Sequence, residues 1–200
     1  MSAFTTYLEV GFRHIWSAQA TDHLTFLLAL CAPFVLADWR RVVALVTSFT
    51  IGHSLTLALA TLGLVTVNKD VIEALIPVTI ILTALVNMMQ AGRAEARPSR
   101  RPAPVVWAAP NALAAAFGLI HGLGFSNYLR ALLGVKSRPV AELLSFNLGV
   151  ELGQLLVVSV ILLLGFVLLR IVGVARRDWV LTVSGAALGV ATLLLLQMAS

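Results

Sequence analysis

The chain has a single cysteine, Cys31, and charged side chains occupy only 12% of its 200 positions. One cysteine forms no intramolecular disulfide, and this one sits inside an apolar stretch, so it carries no information about redox compartment. So little charge, beside 60% hydrophobic residues and a mean hydropathy of +0.96, cannot cover a soluble domain with a polar surface. No G-x-x-x-x-G-K stretch occurs, so any use of ATP would depend on a partner. The opening MSAFTTYLEVGF has no basic segment followed by an apolar one, and no cleavable signal is expected. An inverted repeat is not apparent either. The one internal similarity, Phe49-x-x-x-His53 against Phe117-x-x-x-His121, falls in parallel spans and is short.

What the chain does have is long apolar runs. They predict an all-α, polytopic membrane helix bundle forming one transmembrane domain over residues 1–200. Six spans are expected, at about 15–37, 42–64, 71–91, 105–129, 140–169 and 179–198. The longest connection, a basic and proline-rich linker over 92–104, contains Pro98, Pro102 and Pro104. With six spans, Arg40, Arg41, Arg93, Arg97, Arg100, Arg101, Arg170, Arg176 and Arg177 share one side. Arg13, Lys69, Arg130, Lys136 and Arg138 share the other. The richer side is predicted to be cytoplasmic, which places both termini outside the cytoplasm. The net charge of +5 is then a matter of topology beside anionic lipid, and no nucleic-acid partner is expected.

The histidines give the functional signal. All four, His14, His23, His53 and His121, lie in or at the edge of apolar segments. The run from His23 to Ala37 would make only about 22 Å of helix against a hydrocarbon core of about 30 Å. A continuous first helix must therefore begin near Ile15, which sinks Asp22 and His23 roughly 9 Å into the membrane, where ionisable groups are costly. Residue counting puts Asn147, His121, His53 and the mid-span carboxylate Glu151 in a similar band, with Glu73 and His14 toward its entrance and Ser48, Asn87 and Asn111 in the opposite half.

Asn147, Glu151 and Gln154 fall on one helical face. The spacings Gly118/Gly122 and Gly185/Gly189, and the pair Gly149 and Gly153 flanking Glu151, suit close helix packing. Thr50, Ser54 and Thr56 are expected to bond their own helix backbone. Packing alone would explain any single intramembrane histidine. It does not require three histidines and two acids at one depth, whereas imidazole and carboxylate together suit nickel, cobalt, zinc or copper.

Five stretches, FRHIWSAQATDHLTFLLAL, SFTIGHSLTLALATLGL, VIEALIPVTIILTALVN, FGLIHGLGF and SFNLGVELGQLL, resemble in that order the HupE/UreJ family of bacterial membrane proteins. The resemblance runs from about Phe12 to Leu156. It implies a nickel- or cobalt-type permease of the bacterial inner membrane, with a divalent transition metal at His14, Asp22, His23, His53, His121 and Glu151 and with Glu73, Asn87, Asn147 and Gln154 as polar companions. The segment Ser17 to Thr21 departs from the family pattern in being longer and lacking glycine. A continuous helix would thereby turn His14 most of a turn away from Asp22.

Two functions fit these residues. The leading one is a transporter or facilitator admitting the metal from outside. The alternative is an intramembrane metal-dependent enzyme, hydrolase-like, with an outward-opening metal site and Glu151 or Asp22 as general base on a bound water. The scarcity of ionisable groups in the cytoplasmic half speaks for the alternative, the family resemblance for the leading reading. A metal-storing or assembly role is the remaining possibility.

Overall fold

A computed structural model describes residues 2–17, 20–91, 109–133 and 140–198; the linker expected over 92–104 lies outside them. The described residues contain seven α-helices and no strand: α1 (Ala3–Trp16), α2 (Thr21–Cys31), α3 (Trp39–Thr61), α4 (Lys69–Ala91), α5 (Ala109–Leu133), α6 (Val140–Phe166) and α7 (Arg176–Gln197). The stretches from α3 to α7 are each long and apolar enough to cross a membrane. Their outward faces are built of leucine and valine, as in the α6 row Leu144, Leu148, Leu152 and Leu156, at the spacing that lines one side of a helix. Water would leave such a surface unstable, and acyl chains match it.

The first span is not one helix. α1 stops at Trp16, and Ser17 adopts an extended conformation (ψ 151°) while its backbone N–H and Oγ both donate to the His14 carbonyl, at 3.4 and 3.0 Å. A new helix, only 11 residues long, starts at Thr21. The expected helix from Ile15 through Ala37 is thus replaced by α1 and α2 in succession. Counting apolar residues finds neither the half-polar α1, which packs along α6, nor the interruption itself. Elsewhere the expected spans hold to within a few residues, although α3 begins at Trp39, taking Arg40 and Arg41 into its first turn. α6 continues as a π-helical turn through Val167–Val172, which Gly173 ends at φ 84°. At the end of α3, Gly63 takes φ 76° while the Leu64 N–H bonds the Leu59 carbonyl and the Gly63 N–H the Ala60 carbonyl, a closure that favours a residue without Cβ.

Two helix pairs form the centre, α1 against α6 and α3 against α5. Both cross at glycine. A Cβ at Gly52 would fall on the Ala115 carbonyl and one at Gly118 on that of Phe49. Gly11 and Gly149 meet the carbonyls of Phe146 and Leu8 in the same way. Gly122 packs on the His53 carbonyl and Gly153 on Phe12 and Ile15. The expected packing pair Gly185 and Gly189 behaves differently, because a Cβ at either position would meet nothing within 4 Å. Around the crossings, Ile15, Leu27, Leu57, Phe146 and Val150 belong to one buried cluster, and Phe26, Phe49, Ile80 and Ala187 to another.

Candidate metal centre

The interruption after α1 brings His14 back beside α2, so that its ring centroid lies 4.9 Å from that of His23. His23 is the hub: its ring also lies 5.6 Å from His53 on α3 and 5.1 Å from His121 on α5. All four histidines are buried, His53 and His121 completely. Phe49 and Phe26 approach His121 at 5.1 and 5.2 Å, and Phe125 lies 3.9 Å from His14, so the imidazoles are held among aromatic rings. The same break creates a helix N-terminus at Asp22, whose carboxylate is favoured there by the helix dipole, while the partly negative C-terminal end of α1 lies beside a place suited to a cation.

Hydrogen bonding decides which imidazole nitrogens are available. Asp22 Oδ1 accepts from the His23 backbone N–H at 2.8 Å and pairs with His23 Nδ1 at 3.0 Å. A carboxylate acceptor places the proton on Nδ1, leaving the Nε2 lone pair of His23 free, and Nε2 is buried without a partner. Thr79 does the same for His121 through a different bond. Its hydroxyl hydrogen goes to the Ile76 carbonyl at 2.7 Å, so toward His121 Nε2, 3.1 Å away, the oxygen acts as acceptor. His121 is thereby protonated at Nε2 and offers Nδ1, which is likewise buried and unpartnered. One ligand atom each from Asp22, His23 and His121 lie within 4.8 Å of one another. Two neutral imidazole lone pairs and a carboxylate oxygen fit a divalent transition ion; His14, with Nε2 unpartnered, lines the same cavity, and His53, with both ring nitrogens unpartnered, lies behind His23 at a ring separation of 5.6 Å. Neither Thr79 nor Pro77, which lacks the N–H that would bond the Glu73 carbonyl, was expected at the site. A proline within an apolar run was the available signal for Pro77; Thr79 had none.

A cavity of about 370 Å³ reaches this cluster, lined by His14, Asp22, His23 and His121 and, nearer its mouth, by Glu73, Leu194 and Gln197. Glu73 is half-buried and pairs with Lys69 at 3.2 Å. Among the described residues Glu151 is not a member of the Asp22, His23 and His121 group of ligand atoms. Thr47 donates to Glu151 Oε1 and Thr50 to Gln154 Oε1, both at 2.7 Å, joining α3 to α6. Glu151 Oε2, Gln154 Nε2 and Asn147 Oδ1 are buried without partners. Thr56 reaches across to the Leu119 carbonyl at 2.7 Å, so Thr50 and Thr56 link helices besides bonding their own. Asn87 lies near the other end of α4 and donates to the Ala29 carbonyl at 2.7 Å, tying α2 to α4.

The family model described as HupE / UreJ protein matches residues 1–198. The chain belongs to the HupE/UreJ family. No curated protein and no solved structure matches it. Family and apolar helices together make this a membrane protein, and in this HupE/UreJ chain the Asp22, His23 and His121 group could hold a metal ion.

Proposed function

We propose that the protein admits a divalent transition-metal ion, of the nickel or cobalt type, from outside the bacterial inner membrane and passes it through the bundle. The observation that carries this reading is the convergence of Asp22, His23 and His121, from two different helices, on one ligand-sized space reached by the cavity. Captured there, the ion is cargo. Asp22 and Thr79 keep the imidazoles in the tautomers that bind it, and the Glu73 carboxylate, paired with Lys69, lines the approach.

The test joins nickel binding by purified protein to nickel uptake into proteoliposomes. His23→Ala and His121→Ala are expected to remove both activities while the protein remains folded. Glu151→Gln is expected to remove uptake. One tightly bound equivalent that never crosses the bilayer would replace transport by the metalloenzyme reading, in which Asp22 or Glu151 would serve as base. Full uptake by the two histidine variants would remove the site itself.

A further inference from the structure

The two glycine crossings are copies of one another. In the first, α1 contributes Gly11-x-x-His14 and α6 contributes Phe146-x-x-Gly149; in the second, α5 contributes Gly118-x-x-His121 and α3 contributes Phe49-x-x-Gly52. Gly11 faces the carbonyl of Phe146 and the amide of Val150, and Gly118 faces those of Phe49 and His53. Gly149 faces Leu8 and Phe12, and Gly52 faces Ala115 and Leu119. The correspondence continues one turn further. Gly122 packs against Thr56 in one pair, and Ile15 against Gly153 in the other, so the small residue has changed sides of an otherwise equivalent contact.

The pairs run in opposite directions. Leu8 lies opposite Gly149 and Ile15 opposite Gly153, so α1 and α6 are parallel; Phe49 lies opposite Gly118 and His53 opposite Gly122, so α3 and α5 are parallel as well. Phe125, shortly before the end of α5, stacks on Phe146, shortly after the start of α6, with ring centroids 5.4 Å apart, so α6 turns back along α5. The order α1/α2, α3, α4 is thus repeated upside down by α5, α6, α7. The last helices of the two sets, α4 and α7, pack on each other.

We propose that α1–α4 and α5–α7 are two inverted-topology units, and that rocking of one against the other opens the histidine site alternately to the two membrane faces. His14 and His121 are equivalent residues of the two units, so the site straddles the relation between them. The units differ at the site itself, where α1 and α2 are interrupted and α5 is continuous. In this structure the cavity reaches the site from the face where α4 begins and α7 ends. Toward the other face, Arg176 of the second unit donates to the Pro33 carbonyl of the first at 2.7 Å, and Ser184 on α7 is fully buried with an unpartnered hydroxyl. Exchanging the internal arrangements of two such units exchanges the openings, which closes the cavity mouth and frees Ser184. This inference rests on the transport reading for its purpose, but not for its test.

The test uses full-length Cys31→Ala protein in oriented vesicles. Ser184→Cys is expected to react with a membrane-impermeant maleimide applied from the face opposite the cavity. A bulky maleimide first attached to Leu194→Cys, inside the cavity, is expected to hold the mouth open and slow that reaction at least tenfold. Arg176→Ala is expected to speed it severalfold. Ala187→Cys, at another buried α7 position, takes the place of Ser184→Cys should that variant not fold. A reporter that never reacts from that face, or reacts equally with the wedge in place, overturns the proposal. Nickel uptake by protein whose reporter is inert would keep transport and remove the rocking units, whereas wedge-sensitive reactivity without uptake would keep the units and remove transport.

Discussion

Thr79 has one hydroxyl hydrogen, and committing it to the Ile76 carbonyl makes the oxygen an acceptor for His121 Nε2. Thr79→Val removes that acceptor and frees His121 to adopt the wrong tautomer. Nickel affinity measured by equilibrium dialysis should fall by about 10–100-fold, and Thr79→Ser should retain most of it. Acid acts on the same lone pairs. Each coordinating imidazole must be neutral to hold the ion. Nickel binding should therefore weaken in acid, as protons compete for the ligand lone pairs. Equilibrium titration with nickel at successively lower pH checks this, and an affinity that stays constant until the protein unfolds would take the imidazoles out of the metal site.

At the scale of the helix, glycines that look alike in sequence do different work. A methyl group at Gly52 collides with the Ala115 carbonyl and must push α3 from α5, whereas one at Gly185 meets open space. Gly52→Ala should cost about 1–3 kcal/mol or more through overpacking. Gly185→Ala should gain up to about 1 kcal/mol from helix propensity. Thermal unfolding of the two variants in detergent gives the comparison, with midpoints expected to move in opposite directions. The spacing of four residues that suggested Gly118/Gly122 and Gly185/Gly189 alike cannot tell which face of a helix meets a neighbour. The apolar runs did place α3 to α7, because length and hydropathy suffice to mark a membrane span. They missed the break at Ser17, where two hydrogen bonds to the His14 carbonyl end a helix that hydropathy alone would continue. That break decides the position of His14: a continuous helix turns it away from Asp22, and the interrupted chain returns it to His23. The inverted relation was hidden for a related reason. It resides in backbone contacts at a few glycines, and the spans compared in sequence, α3 and α5, are crossing partners and not equivalents.

Over the whole molecule, direction follows from the same contacts. Ser145 near the start of α6 donates to the Phe4 carbonyl near the start of α1, and Gln197 at the end of α7 lines the cavity with Glu73 at the start of α4. Both chain ends therefore lie at the cavity face. Arg40 and Arg41 begin α3, and Arg176 and Arg177 begin α7 where Arg176 meets Pro33, so these four arginines gather at the opposite face. The excess of arginine there should hold that face in the cytoplasm and turn the cavity outward. In Cys31→Ala protein, cysteines placed at Ser2 and Met198 should both be labelled by an impermeant maleimide in intact cells, and one at Arg177 only after the membrane is opened. The reverse pattern would present the cavity to the cytoplasm and make the histidine site an exit for metal.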